Sequence, residues 1–479
     1  MVISIPYMIL TVRAKETGSY LLSSMIRTEE SSSRILLATQ NGNISFPVQS
    51  GTASEKKSVN DRKALRIPVI KNNSLFCREQ CSMQKVIFLV DMNAFFISCE
   101  MTRNSALVKT PAAVAGDPKK RSGIILAANY EARAYGVKTT MMLHEALKLC
   151  PNLILVPPDH HFYGRKSEEV MALLSNYTPC LEQNSIDEAW LDMTGCEGLF
   201  GAPLTAATRI MNEIKDKLGL WCSIGIAENK FLAKMAAEMK KPLGITELWK
   251  ADIGLKLWPL PVQAMYGIGA KTAEKLNRMG IKTIGDLAKS DRNRIIQAFG
   301  KGGDEIYHHA RGMDDSPVLA RVVDDMKSIG RSTTLPEDLS DIAQAKLVLM
   351  ALADDIGMTA RRHQKKGRTV HVTLKYADFR VVTKQTTIPA TYTTREIFQA
   401  GCRLLEQHWN HLHPVRLIGI SLSGFHEDSS ANQLSFFDKM ENPSKKNKTE
   451  QIEKAMDIIR NKHGPETITF AALVRKGKP

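Results

Sequence analysis

The chain has 479 residues and a mass of 53.3 kDa, too long for one small module and enough for two to four domains. Hydrophobic residues at 43% and charged residues at 24% exclude a wholly disordered, collagenous or membrane-embedded chain. Lys and Arg number 65 against 50 Asp and Glu, a formal net charge of +15 that implies a polyanionic partner, either nucleic acid or an acidic membrane surface.

The apolar opening from Met1 to Val12 contains Pro6, and its first positive charges, Arg13 and Lys15, follow it, which makes a poor signal peptide. No later run approaches the ~20 apolar residues of a membrane span, so a cytoplasmic protein with no membrane partner is expected. The 8 cysteines have no framework spacing and read as free thiols; the one close pair, Cys77 and Cys81, has no neighbouring His and reads as incidental. Residues 1–82 are rich in Ser, Thr, Asn and Lys without a sustained period, the pattern of a disordered extension. The folded part is expected to begin at Met83.

The run Val86-Ile87-Phe88-Leu89-Val90 is continuously apolar and ends on Asp91, as in a buried strand that delivers a carboxylate at its end. Helical segments are expected between Ala127 and Leu149, broken at Gly136. A strand-like stretch follows Asn184-Ser185 and carries Asp187-Glu188, and another covers Ser223 to Ile226. Amphipathic helices are expected over Ala206 to Leu218 and Lys230 to Met239, giving an α+β arrangement. Beyond Lys250 the next seventy or so residues read as helical, with Gly267-Ile268-Gly269 opening a helix. After a polar joint at 321–326, strands near 370–374 and 415–422 and helices over 343–358 and 394–409 make a second α+β module. The remaining tail is polar apart from Gln433 to Phe437 and a helix with Ile452, Ala455, Met456 and Ile459 on one face.

Asp91, Asp187 and Glu188 are three acids that could converge across neighbouring strands. Like charges so placed repel, and divalent cations relieve this: hard oxygen ligands suit Mg²⁺, and two ions about 3.5–4 Å apart clamp the attacking and leaving oxygens of phosphoryl transfer. Adjacent strand residues face opposite ways, so Asp187 and Glu188 can share a site only where the strand begins or bends. Tyr130 and Arg133, at i and i+3, place a hydroxyl and a guanidinium on one helix face, where they could grip phosphate oxygens, and Lys241 adds a point charge.

The motifs Val90-Asp91-Met92-Asn93-Ala94-Phe95-Phe96, Ala128-Asn129-Tyr130-Glu131-Ala132-Arg133, Ser185-Ile186-Asp187-Glu188-Ala189 and Lys240-Lys241-Pro242-Leu243-Gly244 resemble, in order, those of Y-family translesion DNA polymerases of the bacterial DinB type. The resemblance implies a right hand with a ferredoxin-like palm (83–94 and 158–248), small fingers (95–157), a helical thumb (249–320), a linker (321–326), an α+β little finger (327–425) and a tail (426–479). It implies two Mg²⁺ ions per active site, held by Asp91, the Met92 carbonyl, Asp187 and Glu188, with Glu188 serving the ion that activates the primer 3′-OH. Tyr130, Arg133 and Lys241 would bind the triphosphate of a dNTP. Phe96 matches the family's steric gate, a ring that leaves no room for a ribose 2′-hydroxyl, whereas Phe95 reads as core. Two positions depart from many relatives: Asn93 stands where an Asp is common, and Ala127 where a phosphate-contacting Ser or Thr is common.

Gly267-Ile268-Gly269-Ala270-Lys271 resembles the hairpin of a helix-hairpin-helix, in which Gly267, Gly269 and Lys271 meet a phosphate of primer-template DNA. Arg331, Ser332 and Thr333 match a phosphate-contacting strand of the little finger, and Arg361, Arg362, Lys365, Lys366 and Arg368 form a dense basic run. Gln433-Leu434-Ser435-Phe436-Phe437 resembles the peptide by which bacterial polymerases dock on the sliding clamp, with Leu434, Phe436 and Phe437 the apolar anchors and Gln433 at the rim. A monomer is expected. After these assignments little chain is left for a proofreading exonuclease, so low fidelity is expected. A nucleotide cyclase with a similar palm, and a DNA-binding scaffold without catalysis, are the rival readings. The first needs neither hairpin nor clamp peptide, and the second needs no intact acids. Residues 83–248 balance 18 basic against 18 acidic residues, while residues 327–425 carry 14 against 8, so the positive charge lies away from the acids. That distribution suits a salt-sensitive grip on duplex DNA.

Overall fold

The computed structural model describes residues 84–117, 123–319, 326–425, 443–464 and 467–473, together with three short strands nearer the start. The peptide at 433–437, Cys77 and Cys81, most of the joint at 321–326 and most of residues 1–82 lie outside the described residues. The strands β1 (Ile9–Arg13), β2 (Tyr20–Met25) and β3 (Ile35–Leu37) form an antiparallel ribbon in a unit of its own.

The second unit begins β4 (Ile87–Met92), α1 (Phe95–Arg103), β5 (Ala112–Ala115), β6 (Ile125–Ala128), α2 (Tyr130–Ala134), α3 (Leu143–Leu149), β7 (Ile154–Val156) and α4 (His160–Leu174). It continues β8 (Leu181–Gln183), β9 (Glu188–Asp192), α5 (Glu197–Phe200), α6 (Pro203–Leu218), β10 (Cys222–Ala227), α7 (Lys230–Met239) and β11 (Ile245–Glu247). Five of the strands make one sheet in the order β11-β10-β4-β9-β8, and β6-β5-β7 make a small second sheet. The expected helical segment after Ala127 starts later, at Tyr130. Ala127 and Ala128 pair with β5, and Asn129 turns the chain, its side chain capping α2 through the Ala132 N–H and also accepting from the Ala112 N–H.

Central strand β4 is buried on both faces, as its unbroken apolar run requires. Ile87 and Leu89 pack toward α7, whereas Phe88, Val90 and Met92 join Tyr163, Leu174, Ile210 and Ile214 on the other side. With a side-chain period of two, Asp91 belongs to the α7 side. Helix α7 lies almost in contact with the sheet because Gly225 has no side chain: a Cβ there would sit 2.0 Å from the Ala233 carbonyl oxygen.

The next stretch is helical: α8 (Ile253–Lys256), α9 (Ala270–Arg278), α10 (Ile284–Lys289), α11 (Arg292–Phe299) and α12 (Lys301–Ala310). Its apolar residues Leu257, Val262, Leu276, Ile284, Leu287 and Ile295 share one core with Ile87, Leu89, Trp190 and the buried face of α7. Polar contacts reinforce this seam. The Phe231 N–H donates to Asp314, Asn229 Nδ2 donates to the Gly312 carbonyl, and the His309 ring stacks on Phe231 at 4.4 Å.

Beyond it, β12 (Ser328–Leu339), α13 (Ile342–Arg362), β13 (Gly367–Tyr376), β14 (Val381–Thr391), α14 (Thr394–His408) and β15 (Val415–Phe425) form a β-α-β-β-α-β module. Its antiparallel sheet runs β12-β15-β13-β14 and has a core of its own, in which Leu349, Ile356, Ile397 and Leu405 of the helices meet Val370, Val372, Ile418 and Ile420 of the sheet.

Helix α15 (Pro443–His463) forms where the sequence reading placed a helix. Its apolar face is turned outward: Ile452 and Ile459 are exposed, and Glu453 and Arg460 are buried instead. The cause is electrostatic. Arg361 of α13 pairs with Glu453 and Asp457, and Arg460 pairs with Asp354, so the helix is fastened by its charged side. Arg361 of the dense basic run is therefore buried against α15 and committed to its acids.

Candidate active site

Three elements deliver the acids. Asp91 stands near the end of β4 and Glu188 opens β9, directly opposite it in the antiparallel register. Direct partners share a face, so both carboxylates point toward α7, and Glu238 from that helix completes a group whose oxygens lie within 4.8 Å of one another. Asp187 lies in the bend before β9, lines the same cleft, and has Oδ1 held by the Ser185 hydroxyl at 2.6 Å. Its backbone carbonyl accepts from the Met92 N–H. The bend at Asn184-Ser185 thus brings both members of the adjacent pair to one cleft, although the tight group contains Glu238 and not Asp187.

The sequence reading missed Lys234 and Glu238. Lys234 Nζ donates to Asp91 (3.0 Å), Glu188 (2.6 Å) and Glu238 (2.9 Å), with only 7% of its side chain exposed. Lys241 Nζ reaches Asp91 Oδ1 and Glu238 Oε1, each at 2.8 Å. A signal was present: Lys234 is the one charged residue in Phe231-Leu232-Ala233-Lys234-Met235-Ala236-Ala237, a run buried throughout. A charge kept in such a place needs partners.

Burial raises the Asp91 carboxyl above its ordinary pKa, with Lys234 and Lys241 acting against the rise. Burial pushes Glu188 in the same direction, but hydrogen bonds within the acid cluster and from Lys234 hold it below the usual range. For Lys234 and Lys241 burial works downward, and the facing carboxylates, Asp91 foremost, raise both above the ordinary lysine value.

Phosphate-type donors line the same cleft, whose volume is about 250 Å³. Tyr130 and Arg133 share it, the Arg133 guanidinium lying 5.0 Å from the Tyr130 ring centre while its Nε donates to the Ala128 carbonyl. The Tyr130 hydroxyl is buried and has no hydrogen-bond partner. Such an orphan in a cleft lined by cations suits an anionic ligand. Ala127 lines the cleft without a hydroxyl, as the sequence indicated.

Ala94 adopts a left-handed conformation (φ 46°) between β4 and α1, which opens on the two phenylalanines, their ring centres 6.0 Å apart and both bordering the cleft. Phe95 enters the core. Phe96 lines the cleft, stacked on Tyr163 with ring centres 4.6 Å apart. Asn93 is buried: its Nδ2 donates to Ser223 Oγ and its Oδ1 accepts from the Leu243 N–H, which ties β4 to the loop that carries Lys241.

Elsewhere, Gly267 has φ +89° and Gly269 caps α9, with open space where either Cβ would stand, and Lys271 is exposed in the first turn. Ser332 is exposed on edge strand β12. Arg331 is turned onto α13, where Asp355 and Thr359 hold its guanidinium, and the Thr333 hydroxyl donates to the Thr334 carbonyl. No helix among the described residues is long and apolar enough to cross a membrane.

Comparison with known proteins bears on the same segments. The model for the impB/mucB/samB family matches residues 90–238, the model for its C-terminal domain matches 326–436, and a model described as DNA polymerase-iota, thumb domain, matches 263–314. DNA polymerase IV of Alkaliphilus oremlandii is 60% identical over 399 residues, covering 82% of this chain and 100% of that protein. DNA polymerase IV of Clostridium kluyveri is 58% identical, covering 83% and 100%, and that of Oceanobacillus iheyensis is 42% identical, covering 80% and 91%. Among solved structures, a Y-family DNA polymerase chimera of Dbh and Dpo4 superposes with a TM-score of 0.64 at 26% identity, covering 71% of this chain and 99% of that one. With such identity over nine tenths or more of the length of its relatives, and with the acids, Tyr130, Arg133 and the hairpin each inside a matched segment, the chain belongs to the Y-family of DNA polymerases.

Proposed function

We propose that this translesion DNA polymerase performs two-metal nucleotidyl transfer in the cleft between β4, β9 and α7, with Mg²⁺ as the ion and two ions per site. The observation that carries the reading is the register of Asp91 opposite Glu188, with Asp187, Tyr130, Arg133, Lys241 and Phe96 around one cleft. Its acids offer hard oxygen donors and no sulfur or imidazole, a donor set that fits Mg²⁺. Asp91, Asp187, Glu188 and the Met92 carbonyl would hold the ions. When bound, they would lower the pKa of the primer 3′-OH and neutralise charge on the reacting and leaving phosphates.

The residues of the chain then have separate tasks. The Tyr130 hydroxyl, the Arg133 guanidinium and the Lys241 ammonium hold the triphosphate of the dNTP and fix its α-phosphate before the primer end. Phe96, backed by Tyr163, closes the space beneath the sugar and excludes a 2′-hydroxyl by contact. The five-stranded sheet serves as palm, the β6-β5-β7 sheet as fingers, α8 to α12 as thumb and the β12 to β15 module as little finger. Gly267, Gly269 and Lys271 take a DNA phosphate at the start of α9. On β12, Ser332 faces the duplex and Arg331 and Thr333 stabilise the strand that presents it. The pentapeptide Gln433 to Phe437 docks on the sliding clamp, and the protein works as a monomer.

Primer extension with purified full-length protein and Mg²⁺ tests the reading. Asp187→Ala and Glu188→Ala are each expected to abolish extension while leaving the thermal transition in place. Robust extension by either variant would overturn the metal-site assignment.

A further inference from the structure

We propose that Lys234 and Lys241 are resident counter-ions of the carboxylate cluster, and that they make divalent-metal binding conditional on a nucleotide whose phosphates draw Lys241 away. The proposal rests on the polymerase reading of this cleft and adds to it a positioning residue, Lys234, and a second task for Lys241.

The geometry points this way. Lys234 Nζ lies among three carboxylates, each within 3.0 Å, in the middle of the oxygens that a cation would use. It cannot leave readily: α7 is held against the sheet at Gly225, and Phe231, Leu232, Ala233, Met235, Ala236 and Ala237 are buried around it. Lys241 differs. Its side chain is 23% exposed, it sits in the loop after α7, and it lines the cleft beside Tyr130 and Arg133. One lysine is therefore fixed and the other is free to exchange.

Charge counting gives the consequence. Asp91, Glu188 and Glu238 against Lys234 and Lys241 leave one net negative charge in the tight group, and Asp187 in the same cleft adds a second. That is a weak attractor for a divalent ion, and the ion must also displace donors already in place. When Lys241 turns to a triphosphate, Asp91 Oδ1 is released and the tight group carries two net negative charges, three with Asp187, so the cleft attracts divalent ions more strongly. Glu238 Oε1 accepts from both lysines and stays with Lys234 as Lys241 departs. Lys234 meanwhile keeps Asp91 and Glu188 at a fixed separation, so the ligands are aligned before any ion arrives. Linkage makes the effect reciprocal: what nucleotide does for metal affinity, metal does for nucleotide affinity.

The test is Mn²⁺ binding to the full chain, followed by electron paramagnetic resonance with and without dNTP. For wild type, weak Mn²⁺ binding that tightens when dNTP is added is expected. Lys234→Met, which keeps the buried stem and removes the charge, is expected to bind Mn²⁺ alone about tenfold more tightly and to lose most of the dNTP enhancement. It is also expected to melt lower than wild type in chelator and to recover when Mn²⁺ is added, whereas a purely structural lysine would lower the transition equally in both conditions. Should Lys234→Met fail to fold, Lys241→Met decides, since its side chain is the more exposed of the two. It too should bind Mn²⁺ alone more tightly and show a smaller dNTP effect. Unchanged or weaker Mn²⁺ binding by the folded variants overturns the proposal. Failure of the polymerase reading would show separately, as a wild-type protein that extends no primer in Mg²⁺.

Discussion

Arg361 of α13 and Glu453 of α15 form an ion pair in which both side chains are almost wholly buried, and Asp457 holds the other edge of the same guanidinium. Removing one partner of a buried pair commonly costs about 3–5 kcal/mol because it strands a charge. Asp457 remains to share Arg361, so Glu453→Ala is expected near the lower end of that range, ~3 kcal/mol by chemical denaturation. Burial raises the Glu453 carboxyl above its ordinary pKa even with Arg361 beside it. Replacing Arg361 by Met and Glu453 by Leu together is not expected to recover the loss, because Asp457 and the buried Thr394 N–H then lose their partners. A Glu453→Ala protein as stable as wild type would show that α15 does not depend on this pair.

Asn93 joins Ser223 and the Leu243 N–H, and through them holds the loop of Lys241. Asn93→Ala leaves a buried donor without a partner and is expected to cost about 2–3 kcal/mol. Because that loop carries Lys241, the proposed triphosphate contact, steady-state kinetics should show KM for dNTP rising several-fold with kcat less affected. An unchanged KM would detach Asn93 from nucleotide binding.

Phe96 rests on Tyr163, whose hydroxyl donates to Glu100 at 2.7 Å, and Glu100 in turn pairs with Arg103. Phe96→Ala is expected to reduce discrimination against ribonucleotides by about 10- to 100-fold, measured as the ratio of kcat/KM for dNTP and rNTP. Tyr163→Ala should lower the same ratio with Phe96 intact, because the ring loses its backing. Equal ratios for wild type and Phe96→Ala would place the gate elsewhere.

The His309 ring is stacked on Phe231, and burial holds its pKa below the ordinary 6.5, against the opposing pull of Asp314 and Glu305. A folded pKa depressed in this way gives stability that is complete above the unfolded value and is lost as pH falls from about 6.5 toward the folded pKa, since the unfolded chain takes up the proton first. Denaturation at pH 7.5 and pH 5.5 should therefore show a loss that His309→Phe reduces by about 1 kcal/mol or less. An identical loss in the variant would assign the pH dependence to other groups.

Much of this architecture was legible in the sequence, because local pattern and tertiary demand agreed. The apolar run before Asp91, the period of Lys230 to Met239 and the alternation in Val370 to Leu374 each form the element expected. Asp91, Asp187, Glu188, Tyr130, Arg133, Lys241 and Phe96 line one cleft. What stayed hidden depends on charges finding one another across long sequence separations. Lys234 reaches Asp91 over 143 positions, and Arg361 reaches Glu453 over 92. The docked side of α15 was not legible for the same reason: two ion-paired arginines outweigh Ile452 and Ile459 in choosing which side docks.

The core that runs unbroken from Ile87 and Leu89 through α7 to Leu276 and Ile295 has a mechanical consequence. Turning α8 to α12 against the five-stranded sheet would open apolar packing along its whole length, and would also break the contacts of Phe231 with Asp314 and His309. Gly267 and Asp91 accordingly keep one separation. A duplex that touched both would be set in a fixed gauge, its primer end held where the rigid body places it.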